Sequence, residues 1–474
     1  MRNPLYLLGA ASCALLLATG AQGEVLTPPP ANARLAHDLF RDIVEVRSVH
    51  DIGTAQVAKI IVKYLKAGGF SDRDIVVVPE AAHPNQVNVI VRIKGRHHGD
   101  PAYKPVMWMG HMDVVDAKAD DWSVPPFKFT GKNGWFYGRG TSDMKDEDAA
   151  MAASMIRLHQ EHYVPERDII AAFTADEEVG QDQDGPEYLL THDPKLIDAG
   201  LIINPDGGSG EILDGKRIAF GIETVQKIYV TYDATVTNRG GHSSEPRPDN
   251  AIYELAGDLT KLSRYSFPFK TNTTTRLYFA RMAQEASGQR RTDMLALSRE
   301  TEVDIAAAQR LAKDPAFNAI LHTTCVATML KAGVQENALP SRATATIQCR
   351  VMPDETPAET EAALKTVMAD PKLHFTSLTD VTTAPESPPR PALLEKVASV
   401  VHSMWPGVPV VPEMAAGASD SIFTRKAGIP SYGIGGGWND LHDLRMHGRN
   451  ERMRASTFYQ TVELTYRLMK SLAG

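Results

Sequence analysis

Cysteine is scarce: three residues in a chain of 474. That excludes a disulfide-built scaffold and a thiolate-rich zinc module. An excess of positive charge is missing too. Lys and Arg number 50 against 58 Asp and Glu, for a net charge of −8, so the cationic footprint of a nucleic-acid binder is absent. The apolar run from Leu5 to Ala18 falls short of the ~20 residues that span a bilayer, and no later segment is longer. There is no Gly-x-Ser-x-Gly, no P-loop and no Gly-x-Gly-x-x-Gly, which argues against a serine hydrolase elbow and against nucleotide binding. Neither internal repeats nor low-complexity tracts occur.

Ordinary globular composition remains, with 43% hydrophobic and 23% charged residues. The length suggests two or three domains. Met1-Arg2-Asn3, the apolar run and Ala21-Gln22-Gly23 read as a cleavable signal peptide over residues 1–23. A secreted or periplasmic protein, not integral to the membrane after cleavage, is the expectation; an uncleaved N-terminal anchor is the alternative. Cys13 leaves with the leader. Whether Cys325 and Cys349 pair is open at this point.

Beyond the Pro-rich joint Pro28-Pro29-Pro30, helical spacing over residues 33–44, 56–67 and 148–161 alternates with strand-like runs at 87–93, 106–109, 169–173 and 201–203. This alternation predicts an α/β fold, a mixed central sheet covered by helices. Longer alternating strands over 225–236 and 343–351, with amphipathic helices over 250–262 and 357–368, predict a separate α+β module. The expected division is a first part over 24–219, an inserted module over 220–384 and a second part over 385–474 that rejoins the first sheet. Residues 281–321 read as a helical elaboration of the module.

Polar clusters follow three of the candidate strands: Gly110-His111-Met112-Asp113, Ala175-Asp176-Glu177-Glu178 and Asn204-Pro205-Asp206. A fourth, Gly138-Arg139-Gly140-Thr141-Ser142-Asp143-Met144-Lys145, lies between the first two. Open α/β sheets bind ligands at the carboxyl ends of their strands, so these groups should converge in one cleft. Imidazole with carboxylates and no thiolate suits a first-row divalent ion. A carboxylate shared by two ions would make a dinuclear hydrolytic centre.

These motifs, with Asp176-Glu177-Glu178-Val179-Gly180, Gly240-Gly241-His242-Ser243-Ser244 and His447-Gly448-Arg449-Asn450-Glu451, resemble the dinuclear zinc exopeptidase family. That family includes aminoacylase, carboxypeptidase G, vacuolar carboxypeptidase S and succinyl-diaminopimelate desuccinylase. The resemblance implies a zinc-exopeptidase catalytic domain with an inserted lid and dimerisation domain. It implies two divalent ions, zinc foremost, with cobalt or manganese as alternatives. Asp143 would bridge them, His111 and Asp206 would complete one site, and Glu178 and His447 the other. His442, five residues before His447, is a rival ligand. Glu177 would be the general base, with Asp113 orienting His111. His242 would stabilise the oxyanion, often from a neighbouring subunit, which implies a homodimer. Asn337 and Arg350, with the amides of Gly435 and Gly436, are candidates for holding a substrate carboxylate. The implied activity is hydrolysis of dipeptides or of the C-terminal residue of short peptides. An N-acyl-amino-acid amidohydrolase and an inactive binding protein on the same fold are the alternatives.

Overall fold

The computed structural model describes residues 26–474 apart from 180–183, 301 and 380–381. The leader expected over 1–23 and Gly180 of the acidic motif lie outside the described residues. Among the described residues, no helix is long and apolar enough to cross a membrane.

The larger unit is a mixed sheet. Its path runs Ile75–Pro79, Val87–Ile93, Ile169–Thr174, Val106–His111, Leu201–Asn204, Ser431–Gly433, Lys216–Gln226, Gly210–Leu213 and Trp438–Asp440, with Val410–Ala415 also paired to Lys216–Gln226. Val106–His111 lies parallel to both Ile169–Thr174 and Leu201–Asn204, so the three chain ends emerge on one side. Every residue of Val106–His111 and Ile169–Thr174 is buried. Parallel strands covered on both faces require such continuous apolar runs. Successive residues feed opposite cores: Trp108, Ala171 and Phe173 on one face, and Met107, Met109, Ile170 and Ala172 on the other.

Pro30–Val44, Lys145–Gln160 and Ala455–Ala473 meet in the first core, to which Ala55–Ala67 and Pro391–Met404 also contribute. Lys145–Gln160 is Ala- and Met-rich and buried almost throughout, so its small side chains let Pro30–Val44 and Ala455–Ala473 close over it.

The smaller unit is an antiparallel sheet ordered Thr324–Ala332, Arg342–Val351, Ile228–Thr237, Leu373–Ser377. Arg342–Val351 alternates buried and partly exposed residues, the period of a strand with one covered face. Helices Ala251–Arg264 and Pro357–Met368 supply the cover, through Leu255, Leu262, Leu364 and Met368. Thr356 and Glu359 form a reciprocal capping box ahead of Pro357, which explains where the second helix starts. The elaboration is helical: Thr273–Glu285, Gly288–Leu297, Ile305–Leu311 and Pro315–Leu321 pack around Phe279, Met294, Leu297 and Phe317.

The structure differs from the sequence expectation at the first join. The large sheet continues through Gln226, beyond residue 219, and the strand expected over 225–236 is two strands parted at Lys227. Apolar residues are interspersed with polar ones on both sides of the join and the chain stays buried through it, so the sequence pattern shows no break. Lys227 makes the turn: its amide donates to the Ala415 carbonyl and its buried ammonium to the His322 carbonyl. Cys325 and Cys349 sit opposite each other on paired strands and form a disulfide.

Candidate dinuclear metal centre

The strand ends bring the polar clusters together. His111 closes Val106–His111, and its backbone fixes the side chain at the edge of a rigid sheet. Asp143 ends the loop after Gly138, just ahead of the Lys145–Gln160 helix. Glu177 and Glu178 begin a short 3-10 turn after Ile169–Thr174. Asp206 follows Leu201–Asn204, its amide donating to the Asn204 side-chain oxygen at 3.1 Å.

Ligand atoms gather in two groups. His111, Asp143 and Asp206 form one, and Asp143, Glu178 and His447 the other; within each group the atoms lie within 4.8 Å of one another. His111 Nε2 is 3.3 Å from Asp143 Oδ1, and His447 Nε2 is 3.0 Å from Asp143 Oδ2 and 2.9 Å from Glu178 Oε2. Asp143 therefore offers one oxygen to each group. Among the described residues, His111 Nε2 and Glu178 Oε1 are buried with no hydrogen-bond partner, a cost that a bound cation would remove. Imidazoles and carboxylates at this spacing fit a pair of divalent ions. The rival His442 is exposed and turned away, 3.2 Å from Asp214 on another hairpin.

Electrostatics agree. Burial works against charge on His111, yet Asp113, Asp143 and Glu177 hold its pKa well above the usual imidazole value. Asp143 and Glu178 push His447 up to about 10. Burial, with Asp206, Asp420 and Glu178, lifts the Glu177 carboxyl well above its ordinary range. The protein concentrates more negative charge here than its own cations neutralise.

Glu177 belongs to neither ligand group, though its Oε2 lies 4.0 Å from His111 Nε2. Asp113 holds it in place. The Asp113 carboxylate accepts the Glu177 amide at 3.2 Å and the Glu178 amide at 3.0 Å, while its own backbone carbonyl meets His111 Nδ1 at 3.1 Å. Asp113 thus meets His111 through its main chain more closely than through its carboxylate, and its carboxylate braces the Glu177–Glu178 turn. Two further braces are made by motif residues to which the sequence assigned no role. Asp176, with φ near +70°, binds His50 Nδ1 at 2.6 Å and Gln86 Nε2 at 3.1 Å. Glu451 is fully buried and accepts from Arg139 and from the Gly140 and Ser142 amides, tying the Asp143 loop to the His447 segment. Gly140, at φ +86°, permits that turn.

Residues 107–471 match the model of peptidase family M20/M25/M40. The chain belongs to this family. It is 28% identical over 385 residues to the N-fatty-acyl-amino acid synthase/hydrolase of Homo sapiens, covering 78% of this chain and 75% of that protein. It is equally 28% identical over 383 residues to the probable carboxypeptidase S-like 2 of Dictyostelium discoideum, covering 78% and 72%. The M20 family metallo-carboxypeptidase Sso-CP2 from Sulfolobus solfataricus superposes with a TM-score of 0.69 at 17% identity, over 92% of this chain and 98% of that one. Human carnosine dipeptidase 1 does so at 0.62 and 14%, over 94% and 97%. At those identities the superpositions speak for the fold. Family membership and the intact ligand set make this M20 chain a metal-dependent hydrolase.

The M20 chain's expected substrate contacts fall into two sets. Arg350 has a buried Nη1 with no partner among the described residues, its guanidinium lies over the Tyr229 ring, and the Glu177 charge acts on it. The other contacts are not brought to the site in this way. Asn337 and His242 are exposed, and His242 Nδ1 pairs with the Ser244 hydroxyl at 2.7 Å. The Gly435 and Gly436 amides correct the expectation. Gly435 donates to the Gly207 and Gly208 carbonyls, and Gly436 donates to Glu147 Oε1 at 2.6 Å. A carboxylate of the protein itself occupies the turn.

Proposed function

We propose that this M20 chain is an exopeptidase that cleaves the amide next to a free carboxylate, in dipeptides or at the C-terminus of short peptides. The observation that carries the reading is the buried Arg350 Nη1, which has no hydrogen-bond partner among the described residues and lies within the field of the Glu177 charge. A guanidinium so placed is ready for a bidentate carboxylate, and fixes the scissile amide relative to the ligand groups. Two divalent ions, when bound, acidify water and polarise the scissile carbonyl. Glu177 takes the proton of the attacking water. As the carbon–nitrogen bond breaks, it passes that proton to the leaving nitrogen, which departs as an amine. Asp113 keeps Glu177 and Glu178 in register throughout.

A second reading, N-acyl-amino-acid amidohydrolase, is favoured by the fatty-acyl relative and needs the same carboxylate. A hydrolysis screen with metal-loaded protein separates the two. Faster turnover of dipeptides than of acetyl- and long-chain acyl-amino acids supports the peptidase; the reverse order replaces it with the second reading.

Export through the leader is part of the proposal, and the Cys325–Cys349 disulfide supports it, because such bonds persist in oxidising compartments. A mature chain starting at Glu24 is the expected product. Homodimerisation through the inserted module is proposed as well. Thr324–Ala332 is an edge strand that exposes Val326, Met329 and Leu330, an open template for pairing. A second copy there could supply His242 to the site. An active monomer by light scattering would overturn that arrangement.

A further inference from the structure

Next to the metal centre lies a cavity of about 160 Å³ whose lining includes Ser142, Asp146, Glu147, Asp206 and Trp438. That is far more than the ~10–15 Å³ a single water requires, and leaves room for several waters or for one alkylammonium or guanidinium group. Its charges are unevenly matched. At the rim, Arg445 and Arg452 pair with Asp443, and Arg454 stacks on Trp135 near Asp440. At the floor, Asp146 and Glu147 are each 4% exposed. Asp146 Oδ1 and Glu147 Oε2 find no hydrogen-bond partner among the described residues.

The neighbouring cation does not serve them. Lys145 Nζ points the other way, donating to the carbonyls of Ile43 and Val46 at the end of the first helix. The first helical turn favours acidic residues, and the Gly436 amide satisfies Glu147 Oε1. Neither accounts for two further buried oxygens with nothing to accept from, a costly arrangement. Burial with adjacent acids lifts both carboxyls, Glu147 to about 8.

We propose that this cavity is a specificity subsite in which Asp146 and Glu147 seat a positively charged group of the substrate. The inference rests on the hydrolytic reading above and narrows it to cationic substrates. Asp206 belongs to both the cavity wall and a ligand group, so a cation seated there stays close to the scissile amide. Two sources share the chemistry: the free α-amine of a dipeptide, or a basic side chain.

Calorimetric binding to metal-loaded Glu177→Gln protein tests it without turnover. Alanyl-alanine is compared with lactoyl-alanine, in which a hydroxyl replaces the ammonium, and lysyl-alanine with norleucyl-alanine. The expectation is about tenfold or more tighter binding of the cation in at least one pair; the pair that shows it names the source. Asp146→Asn in the same background should erase the preference while two metals per chain remain. Equal binding within both pairs overturns the proposal, as does binding of none, or a preference that survives both Asp146→Asn and Glu147→Gln. Should the Asp146 variant fail to fold, the ligand pairs still decide. Wild-type hydrolysis reports separately on the function: turnover without charge preference sinks the subsite alone, and preference without turnover sinks the hydrolytic reading alone.

Discussion

Glu177→Gln removes one proton-transfer group and leaves the rest of the centre in place. The amide of residue 177 still donates to Asp113, because that bond is made by the main chain. The side chain is 16% exposed and lies outside both ligand groups, so its neutral isostere costs no metal ligand. General acid–base catalysis contributes about 10²–10⁴ in rate. In the proposed mechanism one carboxyl serves both the attacking water and the leaving nitrogen, which places the expected loss near the top of that range. A fall of about 10⁴ in kcat corresponds to about 5 kcal/mol at ~1.4 kcal/mol per decade. The assay is amine release from the best dipeptide, run beside a metal count on the same preparation. A variant within tenfold of wild type, with its metals retained, would refute the base assignment. Loss of the metals would show instead that Glu177 is a ligand.

Arg350→Met should raise KM for carboxylate-bearing substrates by about a hundredfold, the scale of a lost charge-assisted pair, with metal content unchanged; an unaltered KM would place the carboxylate elsewhere. Replacing Cys325 and Cys349 together by Ser opens a link spanning 24 residues, worth about 3 kcal/mol by loop closure, so the denaturant midpoint should fall; no change would mean the link adds nothing. Burial, with Glu211 and Glu223, raises the Glu413 carboxyl to about 8. The folded chain therefore keeps that proton over a range where the unfolded chain has lost it, and stability falls as pH rises from about 4.5 to 8. Glu413→Gln should melt like wild type near pH 5 and a few degrees higher above pH 8; an offset that is the same at both pH values would contradict this.

His111, Glu178 and Asp206 were legible because each follows a strand that sequence periodicity locates, and strand ends of an open sheet converge, whereas Asp143 and His447 were supplied by the family motifs. The choice of His447 over His442 came from the family motif, since two histidines five residues apart are chemically equal. The structure decides it by direction, turning His442 to Asp214. Other features were hidden for physical reasons. The break at Lys227 leaves no mark in the sequence pattern, because apolar residues recur on both sides of it and two different cores bury them. The glycine turn looked open to a substrate carboxylate because sequence could not show Glu147 already there. The braces at His50, Gln86 and Glu451 join segments far apart in the chain, and pairing at that range leaves no local pattern to read.

Anomalous diffraction at the zinc edge, on crystals of zinc-loaded protein, examines the shared aspartate itself. Two peaks should appear, one contacting His111 and Asp206 and the other Glu178 and His447, with Asp143 touching both; Asp143→Ala should lose the pair together. A single peak, or two peaks with no common contact to Asp143, would contradict the dinuclear centre on which the chemistry depends.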